Sequence, residues 1–210
     1  MNLLKLKKNI FKKILCLIPL PFLFNLPSLA ELRIEFEDPN SLVETILNEA
    51  SKTMGKQVGA KKVNWSWCEE DSSSYDPLRN FICLGDNLKN QDLALAFTTA
   101  HEYAHHVQKS IYGYLNREKM NILKIELQAD CFAGVILASI PNFYITPEDA
   151  DKMLEIVYKQ YGDLYYDDED HHGSGHNRSL SLRSGLIFGA SKGAKKDHYY
   201  KVFCAGDVLK

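Results

Sequence analysis

The stretch AFTTAHEYAHHVQKSIYG, residues 96–113, places His101 and His105 four positions apart, with Glu102 directly after the first histidine. Side chains four residues apart lie one turn apart on the same face of an α-helix. Apolar residues continue at helical spacing through the pair, at Leu93, Phe97, Ala100, Ala104, Val107 and Ile111. The pattern predicts one helix over residues 90–111 that directs two imidazole rings at a common point.

These three residues have the spacing of the HExxH motif. In that motif the two histidines bind zinc, and the glutamate takes a proton from the water on the metal. Glu102 is turned about 100° around the helix axis from His101, so its carboxylate can reach such a water without binding the metal. We therefore predict His101 and His105 as metal ligands and Glu102 as the catalytic base.

A catalytic zinc ion needs a third protein ligand, because it binds three protein groups and keeps its fourth position for water. The metzincin pattern HExxHxxGxxH is excluded, since Gln108 and Ile111 occupy its glycine and third histidine positions. The alternative is a glutamate from a second helix. The segment ELQAD supplies Glu126 in the middle of an apolar stretch, residues 118–140, which predicts a long helix ended by Pro141.

Glu126 and Asp130 share a face of this second helix because they are four residues apart. Two buried carboxylates are costly unless each has a partner. If Glu126 binds the metal, Asp130 lies one turn along, where it can accept the free N–H of His101 and fix the tautomer of that ring. The alternative is an ordinary solvated helix face, which the surrounding apolar residues disfavour.

The motifs HEYAHHVQ (101–108) and ELQADCFAGV (126–135) resemble those of the neutral zinc metallopeptidases. The resemblance extends to FICLGD (81–86) and HGSGHNR (172–178), and so covers roughly residues 81–189. It implies a zincin-like fold of the gluzincin type, one Zn²⁺ ion held by His101, His105 and Glu126, Glu102 as catalytic base, and peptide bonds as substrate. The sequence departs from the family pattern at Ala104, where a glycine is usual.

Other polar residues near these motifs allow two interpretations each. His172 lies in the polar segment 167–176, where it either stabilises the oxyanion of a tetrahedral intermediate or belongs to a surface loop. Arg178 either binds a substrate carboxylate or pairs with a structural acid. His106 lies off the ligand face of its helix, so we expect it to pack or to support the site rather than to bind the metal.

The N-terminus has the order of a secretory signal peptide. Five lysines and no acidic residue in the first thirty positions precede and flank an apolar run, and Ser28 and Ala30 supply small residues before a cleavage site after Ala30. The alternative is an uncleaved membrane anchor, although the run is short and broken by Pro19, Pro21 and Pro27. The expected location is therefore secreted or periplasmic.

Charge and cysteine content agree with export. Without those five lysines the chain keeps 20 of its 25 basic residues against 27 acidic ones, which argues against a nucleic-acid partner. Four cysteines remain, and an even number in an oxidising compartment predicts disulfides. The spacing favours the pairs Cys68–Cys83 and Cys131–Cys204, unless Cys131 is simply a small buried residue.

The remaining patterns predict an α+β fold, mainly helical with a small N-terminal sheet, in one domain over residues 31–210. We expect a strand at 32–38, a helix from Ser41 to Gly55, and a hairpin-like pair of strands at 63–67 and 80–85. A helix capped by Thr146 and another at about 177–188 complete the domain.

The predicted function is an exported zinc metallopeptidase that acts on peptides or proteins. One alternative is a structural zinc site in a protein that binds a partner at the cell envelope. Retention of Glu102 argues against it, because a closed metal site needs no proton acceptor. Another alternative is a zinc amidase that acts on cell-wall peptides. Membrane contact is expected only through an uncleaved signal segment.

Overall fold

The computed structural model describes residues 38–69, 71–113, 121–141, 145–162 and 172–192, together with Cys204. The signal segment and the strand expected before Pro39 lie outside these residues, except for Asp38 at the end of that strand. Within the described part, no helix has the length and apolar character needed to cross a membrane.

Helix α1, Pro39–Ala50, begins two residues before the predicted start at Ser41. Asp38 caps it by accepting the Ser41 amide at 3.0 Å, and proline suits the first helical turn because its ring fixes φ and needs no donor there. The predicted end at Gly55 is also wrong. The helical path continues through a π-turn, Ser51–Gly55, into the short helix α2, Lys56–Val58, and ends at Gly59 with φ 68°.

Gly55 is required for packing rather than for helix termination. A Cβ atom at this position would lie 2.2 Å from the hydroxyl of Tyr103. Tyr103 is almost completely buried, so the missing side chain lets this large ring fit under the end of the first helical segment. Sequence patterns alone do not distinguish such a contact from a helix stop.

Within the described residues, three strands form a sheet: β1, Asn64–Cys68; β2, Ser74–Asp76; and β3, Phe81–Gly85. The strand order is β1-β3-β2, with β1 parallel and β2 antiparallel to β3. The expected hairpin between the first and last of these segments is therefore wrong. The polar connection is long enough to form β2, so the chain reverses twice and β3 lies between the other two strands.

The disulfide Cys68–Cys83 links β1 to β3 with the Cα atoms 5.7 Å apart. A second disulfide, Cys131–Cys204, has the same Cα separation. Both predicted pairings are thus confirmed.

In the described part of the chain after the sheet there are four long helices: α3, Asp92–Tyr112; α4, Ile122–Ser139; α5, Pro147–Gln160; and α6, Gly175–Lys192. Thr146 caps α5, as the sequence predicts, and forms a capping box with Asp149. The α+β class, mainly helical with a small sheet, is also confirmed. Helix α4 contacts both α3 and α6, which places its polar face between two helices that carry candidate site residues.

Glycine permits the close approach of α4 and α6. A Cβ atom on Gly185 would lie 2.0 Å from the carbonyl oxygen of Cys131, and one on Gly134 would lie 2.4 Å from that of Leu182. The two backbones therefore touch without intervening side chains. This contact brings the first turns of α6, which contain Arg178, next to Asp130 on α4.

Candidate metal centre

Three ligand-type side chains converge between α3 and α4. The Nε2 atoms of His101 and His105 are 3.1 Å apart. Glu126 Oε2 lies 3.2 Å from His101 Nε2, and Glu126 Oε1 lies 3.6 Å from His105 Nε2. One ligand atom from each residue falls within 4.8 Å of the others, so the three side chains form a group able to hold a metal ion. Two residues come from one turn of α3 and the third from the facing turn of α4.

The second ring nitrogen of His101 is held by Asp130. Its Nδ1 lies 2.9 Å from Asp130 Oδ1, and an ionised carboxylate only accepts hydrogen bonds. Arg178 binds both oxygens of this carboxylate, donating from Nη2 to Oδ1 at 2.8 Å and from Nε to Oδ2 at 2.9 Å. His101 must therefore carry a proton on Nδ1, which directs its Nε2 atom at His105 and Glu126.

The second ring nitrogen of His105 also has a partner. His105 Nδ1 lies 2.8 Å from Oε1 of Gln108, one helical turn along α3. Gln108 is completely buried. The two histidines are thus supported differently, one by a carboxylate and the other by an amide.

The donor set fits zinc. Ligands around a tetrahedral zinc ion lie about 3.3 Å apart, because Zn–N and Zn–O bonds are about 2.0 Å long. The separations of 3.1, 3.2 and 3.6 Å at this site are close to that value. Two imidazole nitrogens and a carboxylate that face one another can all serve as ligands of one cation.

The pKa of His101 also indicates that this site favours positive charge. Burial lowers the pKa of this ring, but hydrogen bonds to Asp130 and Glu126 outweigh burial and raise the pKa to about 10. Burial also acts on Glu126, yet the surrounding imidazoles, with His105 first among them, hold its pKa well below the usual range. Glu126 therefore stays negatively charged, and the pocket attracts a cation.

Glu102 lines the same cavity as the three ligand-type residues, a space of about 1180 Å³. It is only 7% exposed. Burial raises the pKa of its carboxyl, and the smaller effects of His101 and His105 oppose this rise. Glu102 is thus a carboxylate with enhanced proton affinity beside the metal-type cluster, as a general base requires.

A sequence profile of the family described as "Putative neutral zinc metallopeptidase" matches residues 46–163, more than half of the 210 residues. The chain belongs to the neutral zinc metallopeptidase family. The match starts upstream of the motifs that carry the resemblance in the sequence, and it ends before His172 and Arg178. No curated protein and no solved structure matches the chain.

Within this metallopeptidase-family chain, His172 lies at the edge of the centre. Its Nδ1 is 3.4 Å from Glu126 Oε2, and its side chain is 48% exposed. The hydrogen bond to Glu126 is the largest effect on this ring and raises its pKa. His172 therefore borders the cavity and contacts the carboxylate of the predicted third ligand.

The other two candidates from the sequence are not members of the metal-type cluster, although Arg178 lines the same cavity. His106 is buried, and its ring nitrogens contact the Tyr75 hydroxyl at 2.8 Å and the Lys61 carbonyl at 2.7 Å. Of the two interpretations of Arg178, the structural acid is correct, since both oxygens of Asp130 are bound to it.

Sequence reasoning missed the support given by Gln108. In the sequence, this position is notable only as the one where the metzincin pattern has glycine. Its polar side chain three residues after His105, on the same face of α3, is the signal that could have identified it. Arg178 belonged to a different helix, so no local pattern connected it with Asp130.

Proposed function

We propose that this chain is an exported zinc metallopeptidase with a zincin-like fold, in which His101, His105 and Glu126 hold one zinc ion. The observation that carries the proposal is the convergence of these three side chains within 4.8 Å, in a cavity that Glu102 also lines. Family membership supports zinc as the metal and peptide hydrolysis as the reaction. The expected substrate is a peptide or protein.

When bound, zinc supplies Lewis acidity, which lowers the pKa of water and polarises a carbonyl group. The side chains of this chain perform the proton transfers and the positioning. Glu102 accepts a proton from the attacking water and later delivers it to the nitrogen of the leaving amine. Burial of Glu102 supports this role because it raises the pKa of the carboxyl and strengthens it as a proton acceptor.

His172 is proposed as the donor to the developing oxyanion. Its half-exposed ring borders the cavity and contacts Glu126, and this contact supports a role close to the reacting carbonyl of a bound substrate. A positioned donor at this point contributes most when charge develops in the transition state. Asp130 and Arg178 act indirectly, by holding His101.

Export through an N-terminal signal peptide cleaved after Ala30 is part of the proposal. The two disulfides support it, because disulfides form and persist in oxidising compartments. Mass spectrometry of the N-terminus of the mature protein tests this part separately from the chemistry.

The catalytic role is tested by Glu102→Gln. We expect this variant to bind zinc as the wild type does and to lose at least about 100-fold in casein hydrolysis, since it keeps the ligands and removes the proton acceptor. Glu148→Gln, an exposed glutamate on α5, is the matched control and should retain activity.

Two results would overturn the proposal. Unchanged hydrolysis by Glu102→Gln would remove the general base. A wild type that binds zinc but cleaves no member of a broad peptide library would favour a structural zinc site in a binding module. Product analysis by mass spectrometry with cell-wall peptides separates amidase from peptidase activity.

A further inference from the structure

A hydrogen bond to the backbone of α4 fixes the orientation of the Gln108 side chain. One atom of its amide lies 2.8 Å from the carbonyl oxygen of Ile125. A backbone carbonyl only accepts hydrogen bonds, so this amide atom must be the nitrogen. The amide oxygen of Gln108 then faces His105 Nδ1 at 2.8 Å.

This orientation determines the tautomer of His105. An amide oxygen cannot donate, so His105 Nδ1 must carry the proton and donate it to Gln108. The Nε2 atom of His105 is consequently left with its lone pair, directed at His101 Nε2 and Glu126. A neutral amide thus achieves for His105 what the carboxylate of Asp130 achieves for His101.

A second amide completes the support. Gln108 Nε2 also donates to Gln128 Oε1 at 3.0 Å, and Gln128 Nε2 donates to the Tyr112 hydroxyl at 2.9 Å. Gln128 is only 2% exposed. Both hydrogens on the Gln108 nitrogen are therefore engaged by α4, by the residue before Glu126 and by the residue two positions after it.

We propose that Gln108 is a positioning residue of the metal centre, which fixes His105 as the Nδ1–H tautomer and ties it to the backbone of α4 beside Glu126. The inference rests on the proposed zinc site. It adds that the geometry of two ligands on different helices depends on one buried amide. Partners of this kind typically change metal affinity by about 10- to 100-fold when they are removed.

The test compares zinc affinities of purified protein by competition with a chromophoric chelator. Gln108→Met keeps the side-chain length but lacks the amide oxygen, and should weaken zinc binding by about 10- to 100-fold. Gln108→Glu retains an acceptor for His105 Nδ1 and should recover most of that loss. Val107→Ala, a buried neighbour outside the amide chain, is the control for simple destabilisation and should keep wild-type affinity.

The tautomer itself is measured on the zinc-loaded wild type by ¹⁵N NMR of the histidine rings, which needs no variant to fold. We expect His105 to carry its proton on Nδ1. A proton on Nε2, wild-type affinity in Gln108→Met, or equal losses in Gln108→Met and Val107→Ala would each overturn the inference. A wild type that binds no zinc would overturn the proposed function as well, so the two failures are distinguishable.

Discussion

Arg178 on α6 binds both carboxylate oxygens of Asp130 on α4, at 2.8 and 2.9 Å, and Asp130 in turn accepts from His101 on α3 at 2.9 Å. Arg178 also donates from Nη1 to the carbonyl of Tyr161 at 2.8 Å. Three helices are thus joined through one buried ion pair, and the orientation of a predicted metal ligand depends on it.

Removal of Arg178 should therefore affect both stability and metal binding. Arg178→Met leaves the completely buried Asp130 without its counter-charge, and breaking such a pair typically lowers the free energy of unfolding by about 3–5 kcal/mol. Zinc affinity should also fall by about 10-fold or more, because His101 loses its ordered partner. Urea denaturation and chelator competition measure the two effects. Arg183→Met, an exposed arginine on the same helix, should change neither, and a full-strength zinc site in Arg178→Met would contradict the account.

The glycine contact between α4 and α6 makes a second prediction. Gly185→Ala should lower the free energy of unfolding by about 1–3 kcal/mol or more, because the added methyl carbon would meet the carbonyl oxygen of Cys131 at 2.0 Å. Backbone atoms on two packed helices cannot move aside independently. Ser184→Ala, an exposed neighbour on α6, should be nearly neutral. Equal stability of the two variants would show that the helices are not in contact at Gly185.

The two disulfides should stabilise the fold unequally. In the chain-entropy view, a cross-link closing 73 residues, Cys131–Cys204, contributes about 4 kcal/mol, whereas one closing 15 residues, Cys68–Cys83, contributes about 3 kcal/mol. The double variants Cys131→Ala with Cys204→Ala and Cys68→Ala with Cys83→Ala allow the comparison by denaturation under oxidising conditions. A larger loss from the short loop would show that native contacts, rather than loop closure, dominate.

Zinc and protons compete for the Nε2 atom of His101. The pKa of this ring rises from 6.5 to about 10 in the metal-free protein, after hydrogen bonds to Asp130 and Glu126 outweigh burial. A raised pKa means that protonation stabilises the metal-free fold fully below pH 6.5, and this contribution is lost as the pH rises through about 10. Between these values zinc must displace the proton, so its apparent affinity should increase with pH.

Calorimetry in buffers of different ionisation enthalpy measures this competition. At pH 8 we expect about one proton to be released for each zinc ion bound. Asp130→Asn should reduce the release, since it removes the charge that holds the proton on His101. Zinc binding without proton release at pH 8 would contradict the electrostatic description of the site.

Local sequence patterns predicted the helices better than the sheet. The helical period around His101 and the N-cap at Thr146 involve residues close in the chain, and both predictions agree with the structure. The parallel pairing of β1 with β3 was missed because it depends on β2, a strand of only three residues, Ser74–Asp76, within a polar connection. Short strands have little periodicity to detect.

In the candidate site, too, the residues close together in the chain were easier to predict than the contacts between distant segments. His101, Glu102 and His105 lie on one helix, so their spacing in the sequence is enough to predict their relative positions. Glu126 and Asp130 required the further argument that buried carboxylates need partners. The bond from Arg178 to Asp130 connects residues 48 positions apart. It arises from the packing of α4 on α6, which no single segment encodes.

The zinc content of the purified protein tests the central claim most directly. Wild type and Glu126→Ala are compared by elemental analysis after dialysis against a weak chelator, with Glu148→Ala, at an exposed position of α5, as the matched control. We predict one zinc ion per chain in the wild type and the control, and almost none in Glu126→Ala, because only two of the three converging ligands remain. Full zinc retention by Glu126→Ala would contradict the account.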